Sequence, residues 1–166
     1  MAIKTKQHFD GGYDYLLSIA EGNRLTNHFT FKEEANTSAS ELIKLELWPE
    51  SLIHARMREE FRMWWGRAIV LNSCYRTPSF NKQVGGISTS LHLRATASDL
   101  ALGSLSDATW DRCVDRWRKL CDDYGTIGEI GRYDWGIHVG SHIECTEKPY
   151  TNTFYVFDSR TKKGRR

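Results

Sequence analysis

The sequence predicts an α+β fold, a small antiparallel sheet flanked by helices. Two segments carry apolar residues at helical spacing, and several short runs read as strands. The two kinds of element mix along the chain without a regular strand–helix–strand rhythm, which argues against a parallel α/β sheet. A length of 166 residues favours one domain and is enough to bury a core without disulfides. With 40% hydrophobic and 27% charged residues, a disordered chain, a collagen-like fibre and a coiled coil are excluded.

The elements follow in order. Residues 1–30 are weakly patterned, with one short helix expected around 13–20. Asn36-Thr37-Ser38-Ala39-Ser40 is a loop or helix-start signal. Pro49 suits a first helical turn, and Ile53, Met57, Phe61 and Trp64 recur at helical spacing, so 49–65 is predicted as an amphipathic helix. The apolar run 68–71 reads as a buried strand, 72–90 as loop, and 97–102 as a second strand. The strongest helix comes next. Trp110, Cys113, Val114, Trp117, Leu120, Cys121 and Tyr124 share one face, with Ser106 as N-cap and Gly125 as the stop. Strands are expected at 129–133, 136–142 and 153–157, followed by a basic tail.

Several function classes drop out early. No run approaches the ~20 apolar residues of a membrane span. The net charge of +2 gives no argument for nucleic acid, and no nucleic-acid partner is expected. The N-terminus has basic residues but no apolar segment after them, so no secretory signal is read there. The four cysteines (74, 113, 121 and 145) form no C-x-x-C pair, which argues against a thiolate zinc ribbon. They are expected to be reduced and mostly buried. Cys113 and Cys121 lie about 12 Å apart along a helix, too far for a disulfide.

The chemistry concentrates around His92, Asp99 and His138. On one helix His92 and Asp99 would be ~10 Å apart along the axis, so a shared metal requires a loop histidine leading into a strand aspartate. On a strand over 136–142, His138, Gly140 and His142 share a face, which keeps His142 as an alternative ligand. Two histidines and one carboxylate leave a fourth position for water, the ligand count of a catalytic zinc.

The motifs around these residues carry a resemblance. Ser73-Cys74-Tyr75-Arg76-Thr77-Pro78 is similar to S-G-Y-R-[ST]-P, and Asn81 with Val84-Gly85-Gly86 to N-x-x-V-G-G. Ser90, His92, Ala95, Ala97 and Asp99 match S-x-H-x-x-G-x-A-x-D except at Ala95. Residues 128–139 resemble G-G-[IV]-G-x-Y…H-[VI]-D, and 27–34 resemble an opening H-F-x-x-x-E. Together they resemble the zinc D-Ala-D-Ala carboxypeptidase family, closest to the small zinc domains of phage and bacterial murein peptidases.

The resemblance implies a hedgehog/DD-peptidase type of α+β fold over 27–158, with 1–26 as an extension and 159–166 as a tail. It implies one zinc held by His92, Asp99 and His138, with Arg76 facing substrate and stabilising an oxyanion, and Ser90 in support of the site. The implied reaction is hydrolysis of amide bonds in peptidoglycan peptide stems by a monomeric enzyme. An endolysin made in the host cytoplasm and released to the wall fits a chain without a signal.

Four departures stand out. Ala95 replaces a glycine and is expected to fit where φ is negative. Cys74 replaces another glycine and is expected to pack rather than ligate. Gly140 replaces the aspartate of H-x-D. The family acid three residues before the last histidine is Trp135 here, so the general base is assigned to Asp134, with Glu129 and Glu144 as alternatives. The missing acids also motivate a second reading, a catalytically silent zinc-binding module for wall recognition or phage structure.

Overall fold

A computed structural model describes residues 24–34, 43–143 and 153–160. The expected helix at 13–20, the signal at 36–40, Glu144, Cys145 and the tail beyond 160 lie outside the described residues. The fold is α+β, as expected. The first helix among the described residues, α1 (Phe31–Glu34), is a single turn started by a capping box. The Thr30 hydroxyl accepts from the Glu33 amide, and the Glu33 carboxylate accepts from the Thr30 amide. Leu25 is buried, so the packed body begins ahead of residue 27.

A 3-10 turn at Leu45–Leu47 leads into α2 (Trp48–Trp65), with Pro49 in its first turn. β1 (Val70–Ser73) starts two residues later than the expected 68–71. It is an edge strand, so only alternate residues meet the core: Leu71 is buried while Val70 is 65% exposed. The segment 72–90 is not all loop, because Thr77 caps a short helix α3 (Pro78–Gln83) by accepting from the Phe80 amide. A 3-10 turn at Leu91–Arg94 precedes β2 (Ala97–Ala101). Helix α4 (Asp107–Tyr124) has Ser106 as N-cap, and Gly125 closes it at φ 63°, a conformation that suits glycine. β3 (Ile127–Tyr133), β4 (Gly136–His142) and β5 (Tyr155–Asp158) complete the sheet.

The strand order is β1-β2-β4-β3-β5. Four strands pair antiparallel, and β5 joins the far edge parallel to β3. β4 is therefore central, and every residue of it is buried. Side chains alternate between two faces. Ser98, Leu100, Ile130, Ile137, Val139 and Ser141 turn towards α2 and α4, where Trp117, Phe61 and Met57 fill the main core. Asp99, Glu129, Gly131, His138, Gly140 and Phe157 take the opposite face, and the register sets Asp99 beside His138 and Glu129 beside Gly140.

Beneath the sheet lies a buried polar network that sequence reading missed. Arg58 of α2 pairs with Glu34 at 2.5 Å, both side chains fully buried, and donates to the Ser98 hydroxyl at 2.8 Å. His54 bridges the hydroxyls of Ser98 and Ser141 at 3.0 and 2.9 Å. Burial first, then the Arg58 charge, pushes the His54 pKa well below its usual value, so it stays neutral. Cys74, Cys113 and Cys121 are free thiols and buried, as expected.

Candidate metal centre

His92 lies on the 3-10 turn, and the Ser90 hydroxyl that starts this turn accepts from the His92 amide at 3.3 Å. Ala95 ends the turn at φ 58°, ψ 29°. The negative φ on which an easy fit of Ala95 depends is not found. The backbone is left-handed, which explains why a glycine suits this slot, and Ala95 accepts the strain while packing its methyl in the core. The sharp reversal sends the chain straight into β2, bringing Asp99 under His92.

The three residues converge. Oδ1 of Asp99 lies 3.3 Å from Nε2 of His92 and 2.9 Å from Nδ1 of His138, and the two ring nitrogens are 3.2 Å apart. Ligands at ~2.0–2.1 Å around a tetrahedral zinc stand about 3.3 Å from one another, so the triangle has the right size. The outer nitrogens are also held. Nδ1 of His92 donates to the Cys74 carbonyl at 2.5 Å, and Nε2 of His138 donates to Glu129 at 2.8 Å. Each contact leaves the other ring nitrogen facing Asp99, where it would present a lone pair to a bound metal. Three potential ligand atoms facing one point suit a cation.

The electrostatics carry the same sign. Burial raises the Asp99 pKa, but hydrogen bonds from His138 and His92 outweigh it and hold the carboxyl well below its usual range. Burial lowers the His138 pKa, and the hydrogen bonds to Asp99 and Glu129 reverse this, lifting it to about 9. Burial also lowers His92, more than Asp99 raises it. Arg76 donates from Nη2 to Oδ2 of Asp99 at 2.5 Å and from Nε to Ser73 at 2.9 Å. Both oxygens of Asp99 are thereby engaged, and Arg76 acts first as its clamp.

The site opens into a cavity of about 640 Å³, bordered by Arg76, Ser90, Glu129, His138 and His142, with Tyr133, Tyr155 and Phe157 as an aromatic wall. A second cavity of about 360 Å³, with Phe80, Val84 and Trp135, shares Arg76 and Asp99. His142 borders the main cavity but stands outside the ligand triangle, its Nδ1 2.9 Å from the Ile143 carbonyl. Cys74 offers its carbonyl rather than its sulfur. The thiol points to Arg58 and Ser98, and burial pushes its pKa up to about 12. Asp134 sits exposed on the β3–β4 turn and borders neither cavity, so the structure does not bring it to the site. Glu129, one of the two alternatives, borders the main cavity and contacts His138. The signal available in the sequence was the β3–β4 hairpin, which sets residue 129 opposite 140.

Comparison with family models matches Peptidase M15 over residues 27–139, which includes every residue of the triangle. The chain belongs to the peptidase M15 family. Comparison with curated proteins and with solved structures gave no match. Among the described residues of this M15 chain, no helix is long and apolar enough to cross a membrane. His92, Asp99 and His138 also form the only cluster of potential metal ligands found among the described residues.

Proposed function

We propose that this M15 chain is a zinc-dependent peptidase that hydrolyses amide bonds in the peptide stems of bacterial peptidoglycan, acting as a monomeric phage or prophage endolysin. D-Ala-D-Ala carboxypeptidase and murein endopeptidase activity both suit the open cavity. The convergence of Nε2 of His92, Oδ1 of Asp99 and Nδ1 of His138 within 3.3 Å of one another carries the reading.

Bound there, zinc would supply an activated water and polarise the scissile carbonyl. The chain's residues do the rest. The carbonyl of Cys74 and the carboxylate of Glu129 fix the two imidazoles, and Arg76 fixes Asp99. Arg76 also borders the cavity, where its remaining donors suit an oxygen gaining negative charge. Ser90 holds the turn that presents His92 and lies at the rim where substrate enters. Among the described residues, the carboxylates bordering the cavity are Asp99 and Glu129. Asp99 is committed on both oxygens, so Glu129 is the group to accept a proton from water and pass it to the leaving amine.

The test is digestion of intact peptidoglycan followed by mass spectrometry, with metal content measured on the same protein. About one zinc per chain and release of stem fragments are expected, both lost in His92→Ala, Asp99→Ala and His138→Ala. Glu129→Gln should retain zinc, because the amide oxygen still accepts from His138, but lose turnover. Asp134→Asn should stay active. Protein that cannot be loaded with zinc would sink the site. Zinc-loaded protein inert on peptidoglycan would replace the enzyme with the silent wall-binding module.

A further inference from the structure

The aspartate of the H-x-D motif is absent here, and the residue in its slot is Gly140. Gly140 pairs with Glu129 across β4 and β3. A β-carbon built on Gly140 would stand 2.7 Å from Cγ of Glu129, 3.0 Å from its Oε1 and 2.7 Å from Cδ1 of Leu91. Real β-carbons essentially never come within 3.0 Å of another heavy atom, so something would have to move. Two of these three atoms belong to the side chain whose Oε1 holds Nε2 of His138 at 2.8 Å. The route from β3 to the histidine passes through the volume that any other residue at 140 fills.

We infer that Gly140 is a positioning residue of the metal centre: the empty space at its α-carbon lets Glu129 cross from the paired strand and orient His138. The carboxylate that supports His138 comes from the facing position on β3, and the arrangement needs both residues. An acid at 129 is displaced if 140 has a side chain. A glycine at 140 leaves Nε2 of His138 without a carboxylate if 129 is not acidic. This rests on the reading of His138 as a ligand through Nδ1.

A double-mutant cycle on zinc affinity tests it, measured by competition with a chromophoric chelator on the full chain. Gly140→Ala should weaken zinc about tenfold to a hundredfold, the usual cost of losing a ligand's outer partner. Glu129→Ala should do the same. In the Glu129→Ala background, Gly140→Ala should then change zinc affinity by less than about twofold, because the side chain it displaces is gone. The collision with Leu91 is common to both backgrounds and separates the two routes. An equal loss in both would mean that Gly140 acts through Leu91 and the adjacent His92, which overturns the inference. So would unchanged affinity in Gly140→Ala. Should Gly140→Ala fail to fold, Glu129→Asp is the second arm. It shortens the acid by one carbon with Gly140 intact and should also weaken zinc; full affinity there overturns the inference. Wild-type protein that binds no zinc defeats the metal reading itself, a distinct outcome.

Discussion

Glu34→Gln is the sharpest test of the packing beneath the site. The substitution keeps the volume and an acceptor oxygen but removes the charge that faces Arg58 at 2.5 Å, with both side chains fully buried. Arg58 then remains as a buried cation. Its guanidinium also stands 4.5 Å over the Phe29 ring and donates to Ser98, but neither contact neutralises it. Breaking a buried pair by removing one partner costs about 3–5 kcal/mol, and the retained acceptor places Glu34→Gln at the lower end, about 3 kcal/mol. At roughly 2–4 °C per kcal/mol for a chain of this size, the Tm should fall by about 6–12 °C. Circular dichroism against temperature, on zinc-free protein, reads this directly. Removing both charges in Glu34→Leu/Arg58→Met should recover most of the loss, because no uncompensated ion stays behind. A Glu34→Gln protein within about 1 kcal/mol of wild type would refute the buried pair.

Other outcomes follow from the site. His138 is held protonated up to about pH 9 in the zinc-free protein, whereas a liganding imidazole is neutral there. Zinc binding at pH 7 should therefore release about one proton, seen as a buffer-dependent enthalpy in calorimetry, and affinity should rise with pH and level off above about 9. Folding linkage has the opposite sign. The raised pKa stabilises the zinc-free fold fully below about 6.5, and this contribution is lost as pH rises through about 9. Arg76→Lys keeps one charge but cannot span Asp99 and Ser73 at once, so kcat/KM should fall about a hundredfold with the fold intact. Ala95→Gly should leave stability within about 1 kcal/mol. Relief of the left-handed strain, ~1–2 kcal/mol, is offset by loss of a buried methyl, ~0.8 kcal/mol. Ala95→Val should cost about 1–3 kcal/mol, since a β-branched residue tolerates that backbone poorly.

What could be read from the sequence is what local chemistry dictates. Ser106 and Gly125 bracket α4 because a hydroxyl cap and a left-handed glycine are local devices. The strand 136–142 was legible as a strand-like run, and the grouping of His92, Asp99 and His138 from the motif resemblance. The misses needed partners distant in sequence. Asp134 is the nearest acid before His138 in sequence, but a sheet brings residues together across strands, and register sets Glu129 opposite Gly140 on the His138 face. Ser51, His54 and Arg58 lie on the buried side of α2 next to Met57 and Phe61. A polar residue on a helix reads as solvated unless its partners are known, and those partners sit on α1, β2 and β4. The helix α3 had a signal in Thr77-Pro78, a hydroxyl cap before a first-turn proline, that reading the segment as loop passed over.

The two polar systems meet at one dipeptide. Ser98 and Asp99 are adjacent on β2, so their side chains leave the sheet on opposite faces. Ser98 is anchored below by Arg58 and His54, while Asp99 is clamped above by Arg76 and faces both histidines. Cys74 repeats the pattern: its thiol is packed against Arg58 below, and its carbonyl holds His92 above. Two ligands are thus tied to the same buried guanidinium through a neighbouring backbone. The third, His138, has its support from Glu129 on the site face alone. Damage to the Glu34–Arg58 pair should therefore loosen His92 and Asp99 together, whereas damage at Glu129 or Gly140 should reach only His138. The difference separates stability from metal affinity. Glu34→Gln should lower both, and Glu129→Ala should lower zinc affinity while leaving the zinc-free melting temperature close to wild type.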